Sequence, residues 1–171
     1  MKARWTLMSS ILIGSTALCA VALRAHAKGD ESAAIKALED RFIAAVRTKD
    51  VDAIMKAYVD DESLFVFDVI PPRQYVGAKA YHKDWEGFLG TLEGPITVEI
   101  SDLEVTTGGN IAYGHSIQRI AGTDKKGKKV DLTMRVTDGY KKVNGHWLIA
   151  HEHVSVPVDF DTAKPDFSSK P

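Results

Sequence analysis

The stretch Trp147-Leu-Ile-Ala-His151-Glu-His153-Val-Ser155-Val-Pro157 follows directly after an Asn144-Gly145 pair. An Asn-Gly pair between two strand-like runs is the typical signal of a tight β-hairpin, so this stretch is predicted to be a return strand. Residues two apart on a strand lie on the same face, which places His151 and His153 beside Trp147 and Ile149. Imidazoles on an apolar face need polar partners, and a pocket would supply them.

Counting outward from the Asn-Gly turn predicts the partner of each residue in this hairpin. Asp138 falls opposite His151, and Val136 falls opposite His153. Opposed residues share a face, and a carboxylate beside an imidazole can fix its tautomer and leave the other ring nitrogen free. Asp138 and His151 are therefore the predicted catalytic pair if the protein is an enzyme. The alternative is a buried hydrogen bond that only holds the hairpin.

The preceding hairpin adds polar side chains to the same face. If residues 124–127 form a four-residue turn, Tyr113 and His115 join the face of Asp138. With His153, they are predicted to contact a ligand. Three histidines could also bind zinc, but His115 would lie two strands from His153, about 10 Å at normal strand spacing. No metal and no cofactor are therefore predicted.

Four more residues complete the predicted ligand site. Gly139 interrupts a strand, and a β-bulge beside it would break the pairing count and turn Arg135 toward the pocket. Asp68 is a candidate carboxylate at the pocket rim, with a solvated turn residue as the alternative. Tyr58 and Trp85 are candidate ligand contacts, although aromatic residues at helical spacing more often belong to a core.

Helix signals come before strand signals along the chain. Apolar residues recur at helical spacing over 35–46, again after Asp50, and from Ala78 to Leu92 after Gly77. A short strand is predicted between the second and third helices, and alternating strands follow from residue 96 onward. This order predicts an α+β fold with helices covering one face of a curved antiparallel sheet. The polar segment after Pro157 is predicted to be a loose tail.

The first 27 residues are predicted to be a secretory signal peptide. Lys2 and Arg4 form a basic start, residues 11–23 are apolar or small, and Ala25-His26-Ala27 resembles a cleavage site. The mature chain would begin at Lys28 and would be exported, either to the periplasm or into the medium.

Two alternatives remain for this leader, namely a membrane anchor and lipidation at Cys19. The apolar run is short for a span, and Leu18 is bulky for a lipidation signal. Removal of the leader changes the formal net charge from −1 to −4 and takes away the one cysteine. Neither nucleic acid nor an anionic membrane surface is therefore expected as a partner. The remaining 144 residues suffice for one core without disulfides.

Two segments carry a family resemblance. Residues 41–58, followed by Asp60-Asp61, look like the opening helices of the nuclear-transport-factor-2-like superfamily, and residues 135–155 look like its closing hairpin. This superfamily includes SnoaL-like proteins, ketosteroid isomerase and the calmodulin-dependent kinase association domain. The resemblance implies a cone-shaped sheet wrapped around three N-terminal helices, and a homodimer. It does not define an activity, because this fold hosts enzymes, binding proteins and assembly modules.

The functional residues of ketosteroid isomerase can be matched to positions of this chain. That enzyme uses a tyrosine, an aspartate base and a protonated aspartate. Phe42 stands at the tyrosine position, and the base position falls on Val66 or, with two residues inserted, on Asp68. The sheet aspartate falls near Met134 or Arg135. At most one of the three roles is retained, so the resemblance does not extend to ketosteroid isomerisation.

Three functions are therefore compatible with the sequence. The first is binding of a small, largely apolar molecule in the cone cavity. The second is an isomerase, lyase or hydrolase that moves a proton with Asp138 and His151. The third is a homo-oligomeric assembly module without a ligand. The sequence contains no glycine-rich phosphate loop and no complete zinc motif.

Overall fold

The computed structural model describes residues 14–169, with side chains from residue 31 onward. The helices are α1 Gly14–Thr48, α2 Val51–Met55 and α3 Ala78–Leu89. The strands are β1 Phe65–Phe67, β2 Tyr75–Val76, β3 Leu92–Gly108, β4 Ile111–Asp124, β5 Lys129–Val143, β6 His146–Ser155, β7 Val158–Asp159 and β8 Lys164–Pro165. The predicted signal peptide falls on residues 1–27, of which 1–13 lie outside the described residues.

The helices begin and end where local chemistry dictates. The Asp50 side chain accepts a hydrogen bond from the backbone N–H of Ala53 at 2.9 Å, which caps α2. Helix α3 starts after Gly77, whose φ of 85° is in the region that favours glycine. Its apolar stripe ends at Leu89, and Leu92 already belongs to β3. The predicted third helix was therefore too long by three residues.

Six strands form one curved, unclosed sheet in the order β2-β1-β6-β5-β4-β3. Neighbouring strands run antiparallel except for β1 and β6, which are parallel. The predicted α+β fold class is confirmed, while the parallel pair makes the sheet mixed and not wholly antiparallel. Two register shifts in β3 occur where residues 94–96 and 102–103 have no partner on β4, and such irregularities bend a strand.

The helices pack on the concave face of the sheet and form a single core with it. From α1 the core receives Ile35, Leu38, Phe42 and Val46, and from α3 it receives Tyr81, Trp85 and Leu89. The sheet contributes Ile120, Met134, Val136, Tyr140, Trp147 and Ile149. This contact between helices and sheet fixes the side of the sheet on which a cavity can form.

The segment after Pro157 is ordered, and part of it lies beside β5 beyond the end of β6. Strands β7 and β8 pair with each other, and the backbone N–H of Thr133 donates to the carbonyl of Phe167 at 3.0 Å. The prediction of a loose tail was wrong in this respect, because a polar composition does not reveal backbone pairing. Among the described residues, no helix combines the length and the apolar character that a membrane crossing requires.

Candidate functional site

The turn between β4 and β5 is one residue longer than predicted. Thr123 pairs with Lys129, so five residues form the loop. The Asp124 side chain accepts hydrogen bonds from the backbone N–H groups of Lys126 and Lys128, both at 2.8 Å, which stabilises this longer loop. A shift of one residue moves every side chain of a strand to the other face. The predicted inner face of β4 is therefore its outer face.

A β-bulge changes the pairing between β5 and β6. Tyr140 pairs with Ile149 as predicted, but Gly139 pairs with His151, so Ala150 is the extra residue on β6. From the sequence, a bulge was only an alternative to the regular pairing, and it was placed on β5 beside Gly139, where it would have turned Arg135 toward the pocket. Because the extra residue lies on β6 instead, the faces of β5 stay as predicted and the second half of β6 is reversed. Glu152 points inward as a result.

The predicted pairing of Asp138 with His151 is therefore wrong. Asp138 pairs with Glu152 on the inner face, whereas His151 lies on the outer face. There the Nδ1 atom of His151 lies 2.8 Å from the backbone carbonyl oxygen of Phe65, a contact that ties β6 to β1. His151 thus has a structural contact and does not reach the cavity side.

The other predicted ligand contacts on β4, β5 and β6 also lie outside the cavity. Tyr113 is 54% exposed, and His115 is exposed with its Nε2 atom 3.8 Å from a Glu104 oxygen. His153 is exposed on the outer face beside Phe67, with ring centroids 5.5 Å apart. Arg135 is exposed as well and pairs with Ser155.

Three of the predicted residues lie on the cavity side of the sheet. Asp68 and Trp85 line a cavity between α1, α3, the segment just after β1 and the inner face of β4, β5 and β6. Tyr58 does not line the cavity, but its hydroxyl donates to a Glu152 oxygen at 2.7 Å. Tyr81 donates to the other Glu152 oxygen at 2.5 Å. Tyr58 and Tyr81, which belong to the core, therefore also hydrogen-bond a buried carboxyl group.

Glu152 is a carboxyl group in an unusual position, only 4% exposed. Burial raises its pKa to about 7, and the hydrogen bonds from Tyr81 and Tyr58 oppose that rise in part. A carboxyl group with a pKa near neutrality can exchange a proton at physiological pH. Glu152 lines the cavity together with Tyr81, so it combines this property with access to a bound molecule.

Two further carboxyl groups, those of Glu39 and Asp138, are also buried. The Tyr140 hydroxyl donates to Glu39 at 2.8 Å, and burial raises the pKa of Glu39 to about 7. Burial and the nearby Glu152 raise the pKa of Asp138 well above its usual range. A side chain in place of Gly114 would put its Cβ 3.2 Å from the Tyr140 hydroxyl. The absence of a side chain there thus leaves room for this hydroxyl.

The cavity has a volume of about 90 Å³, which is enough for several waters. Most of its wall is apolar, formed by Phe42, Trp85, Phe88, Ile120, Met134 and Val136. Its polar side chains are Asp68, Asp84, Gln118 and Glu152. The indole N–H of Trp85 is buried and has no hydrogen-bond partner among the described residues.

Two carboxyl groups lie at the more exposed end of the cavity. Asp68 and Asp84 are both half-buried, near Ile70, which is 45% exposed. The Tyr75 hydroxyl donates to Asp84 at 2.5 Å, and the backbone N–H of Val69 donates to Asp68 at 2.5 Å. Burial, with a contribution from the Asp84 charge, raises the pKa of Asp68. Both groups are held in place beside the opening.

Sequence reasoning missed Glu152, although the sequence contains a signal for it. Trp147 and Ile149 point inward, and so does Val154. Odd and even positions cannot share one face of a regular strand, so a bulge must lie between Ile149 and Val154. Recognising this change of phase would have turned Glu152 inward and the two histidines outward.

Comparison with known proteins agrees with this architecture. A SnoaL-like domain matches residues 35–159. A nuclear-transport-factor-2-like protein of unknown function from Pseudomonas putida KT2440 is 34% identical, with 84% of this chain and 98% of that chain covered and a TM-score of 0.75. None of the curated proteins that were compared matches this chain.

Two further solved structures are similar. A ketosteroid isomerase-like protein from Erwinia carotovora atroseptica is 22% identical, with 73% of this chain and 95% of that chain covered and a TM-score of 0.62. A nuclear-transport-factor-2-like superfamily protein from Salmonella enterica is 16% identical, with 75% and 92% covered and a TM-score of 0.67. Fold and site thus define a cone-shaped protein of the nuclear-transport-factor-2-like superfamily. Within that superfamily, the chain belongs to the SnoaL-like family.

Proposed function

We propose that this protein is exported and binds a small, largely apolar molecule in the cavity beside Trp85. The observation that carries the proposal is the lining of that cavity, an apolar wall that also holds a few polar side chains. Ligand sites in proteins have this composition, because apolar surface supplies affinity and a few polar groups supply orientation. Homodimer formation is a further part of the proposal, and a monomer mass in solution scattering would count against it.

The buried polar groups of the cavity wall favour a ligand that carries at least one polar atom. The indole N–H of Trp85 lacks a partner, and an unsatisfied buried donor costs about 1–3 kcal/mol. A hydrogen-bond acceptor, on the ligand or on a water bound beside it, would remove this cost. The side chain of Gln118, which is 7% exposed, also lines the cavity.

Thermal denaturation with small neutral ligands tests the binding proposal. Indole, naphthalene and cyclohexanone are each expected to raise the melting temperature, since a ligand that binds only the folded state stabilises it. The variant Leu132→Trp, which fills part of the cavity wall, is expected to abolish the shift. Leu103→Trp, at a position outside the cavity lining, is the matched control. Unchanged melting temperatures with all ligands would contradict the proposal.

A second candidate function is proton transfer on the bound molecule. The observation that favours it is Glu152, whose pKa of about 7 suits a group that must both accept and release a proton. Asp68 would be the second acid, at the position where the resemblance to ketosteroid isomerase expects a base. Asp138 and His151 have no part in this candidate, because they lie on opposite faces of the sheet.

Exchange of the α-hydrogens of cyclohexanone with deuterated water separates this candidate from simple binding. An enzyme of this kind is expected to accelerate the exchange, as followed by nuclear magnetic resonance. Glu152→Gln or Asp68→Asn is expected to remove the acceleration while the thermal shift with cyclohexanone remains. Exchange at the uncatalysed rate, together with a clear thermal shift, would favour a binding protein over an enzyme.

A further inference from the structure

We infer that the preferred ligand of this cavity is a hydrophobic amine, bound as its ammonium ion between Asp68 and Asp84. The inference rests on the proposed binding function and adds the charge class of the ligand to it. It follows from the charge of the cavity wall, from the aromatic rings beside the two carboxyl groups and from the way those groups are held.

The charged groups of the wall are all acidic. Asp68, Asp84 and Glu152 line the cavity, and none of the described residues in its lining is Lys, Arg or His. Carboxylates close to each other in a partly buried site repel one another unless a cation or a proton compensates them. An anionic ligand would add to this repulsion, whereas an ammonium group would relieve it. The wall therefore selects against carboxylates and phosphates.

Aromatic rings form the wall next to the carboxyl groups. The ring centroid of Trp85 lies 5.7 Å from that of Phe42, 6.0 Å from that of Tyr81 and 6.1 Å from that of Phe88. All four residues line the cavity. A cation within about 6 Å of a ring centroid is attracted by the face of the ring, most strongly for tryptophan. Such a cluster can hold an ammonium group as well as an apolar body.

The two carboxyl groups are positioned before any ligand arrives. Asp84 accepts from the Tyr75 hydroxyl, and Asp68 accepts from the N–H of Val69. Side chains that are already ordered lose less conformational entropy on binding. An ammonium group at this end would leave the apolar part of the ligand against Met134 and Val136, which lie farther inside the protein.

A divalent metal ion is the other cation that an acidic cavity could attract. Metal ions require several ligand atoms at short and defined distances. Among the described residues, no three His, Cys, Asp or Glu side chains are arranged to hold such an ion. The mainly apolar wall also suits an organic cation better than a hydrated metal ion.

A matched series of three probes tests the charge preference. 2-Phenylethylamine, 2-phenylethanol and phenylacetate have similar apolar bodies and are positive, neutral and negative at pH 7.5. Titration calorimetry with the wild-type protein is expected to show the amine binding at least tenfold more tightly than the alcohol. Phenylacetate is expected to bind more weakly than both. This comparison needs no variant, so a folding defect cannot obscure it.

Substitution of the two aspartates then tests whether they cause the preference for the amine. The double variant Asp68→Asn with Asp84→Asn is expected to bind the amine and the alcohol with nearly equal affinity, whereas Asp161→Asn, in the exposed tail, keeps the wild-type preference. If the alcohol or phenylacetate binds wild type as tightly as the amine, or the double variant keeps the preference, the inference is wrong and the binding proposal stands. If no probe binds, both are wrong.

Discussion

Lowering the pH from 8 to 5 is expected to increase the free energy of unfolding by several kcal/mol. Glu39 and Glu152 are 2% and 4% exposed, and burial raises the pKa of each from 4.5 to about 7. Between these two values, the folded protein holds protons that the unfolded chain has released, so stability falls as the pH rises. Each group should contribute on the order of 2 kcal/mol over this range.

Urea unfolding at intervals between pH 5 and pH 8 measures this dependence. The variant Glu152→Gln removes the titration of one of these buried acids, so its stability should change less than that of wild type over the same range, by on the order of 2 kcal/mol. Glu99→Gln, at an exposed position, is the matched control and should follow wild type. Stability that rises from pH 5 to pH 8, or an unchanged dependence in Glu152→Gln, would show that Glu152 is not a buried acid with a raised pKa.

The substitution Trp85→Ala is expected to lower the free energy of unfolding by about 3–5 kcal/mol, which is typical for truncation of a large buried aromatic side chain. Trp85 is only 8% exposed, and its ring contacts Phe42, Tyr81 and Phe88. Removal of the indole would take away packing between α3 and α1. It would also enlarge the cavity.

Urea unfolding compares this variant with Phe160→Ala, which truncates an aromatic side chain that is 99% exposed. The control should lose almost nothing, because its ring is already in water. A third variant, Trp85→Phe, keeps much of the apolar packing and should lose less than Trp85→Ala. A loss below about 1 kcal/mol for Trp85→Ala would mean that the indole packs far less tightly than the usual buried aromatic.

The sequence was sufficient for most of the fold because the relevant signals are local. The Asp50 cap is a short-range signal that fixes the start of α2, and the Asn144-Gly145 pair fixes the last hairpin near its turn. The inner face of β5, from Leu132 to Tyr140, was also predicted correctly, since its alternation is regular. The parallel pairing of β1 with β6 was not predicted, because it joins segments about 85 residues apart in the chain and leaves no short-range pattern.

The site was predicted less well because it depends on register, where an error of one residue is sufficient to exchange two faces. The extra loop residue before β5 and the extra residue Ala150 in β6 each had this effect. On β4 the residue types were a second reason for the error, because its inner face carries Gly114, Ser116 and Gln118. These residues are small or polar, so a search for alternating apolar residues could not identify that face as buried. Asp68 and Trp85 do not lie in these registers, and both line the cavity.

The bulge at Ala150 has a consequence for the comparison of relatives. Deletion of this one residue would give a regular strand in which Glu152 still pairs with Asp138 on the inner face, so the cavity wall would keep its acid. Only the spacing in sequence between Trp147 and the inward acid would shorten, by one residue. A relative with one residue fewer here is therefore expected to have the same faces, and its sequence should be aligned separately on the tryptophan and on the acid.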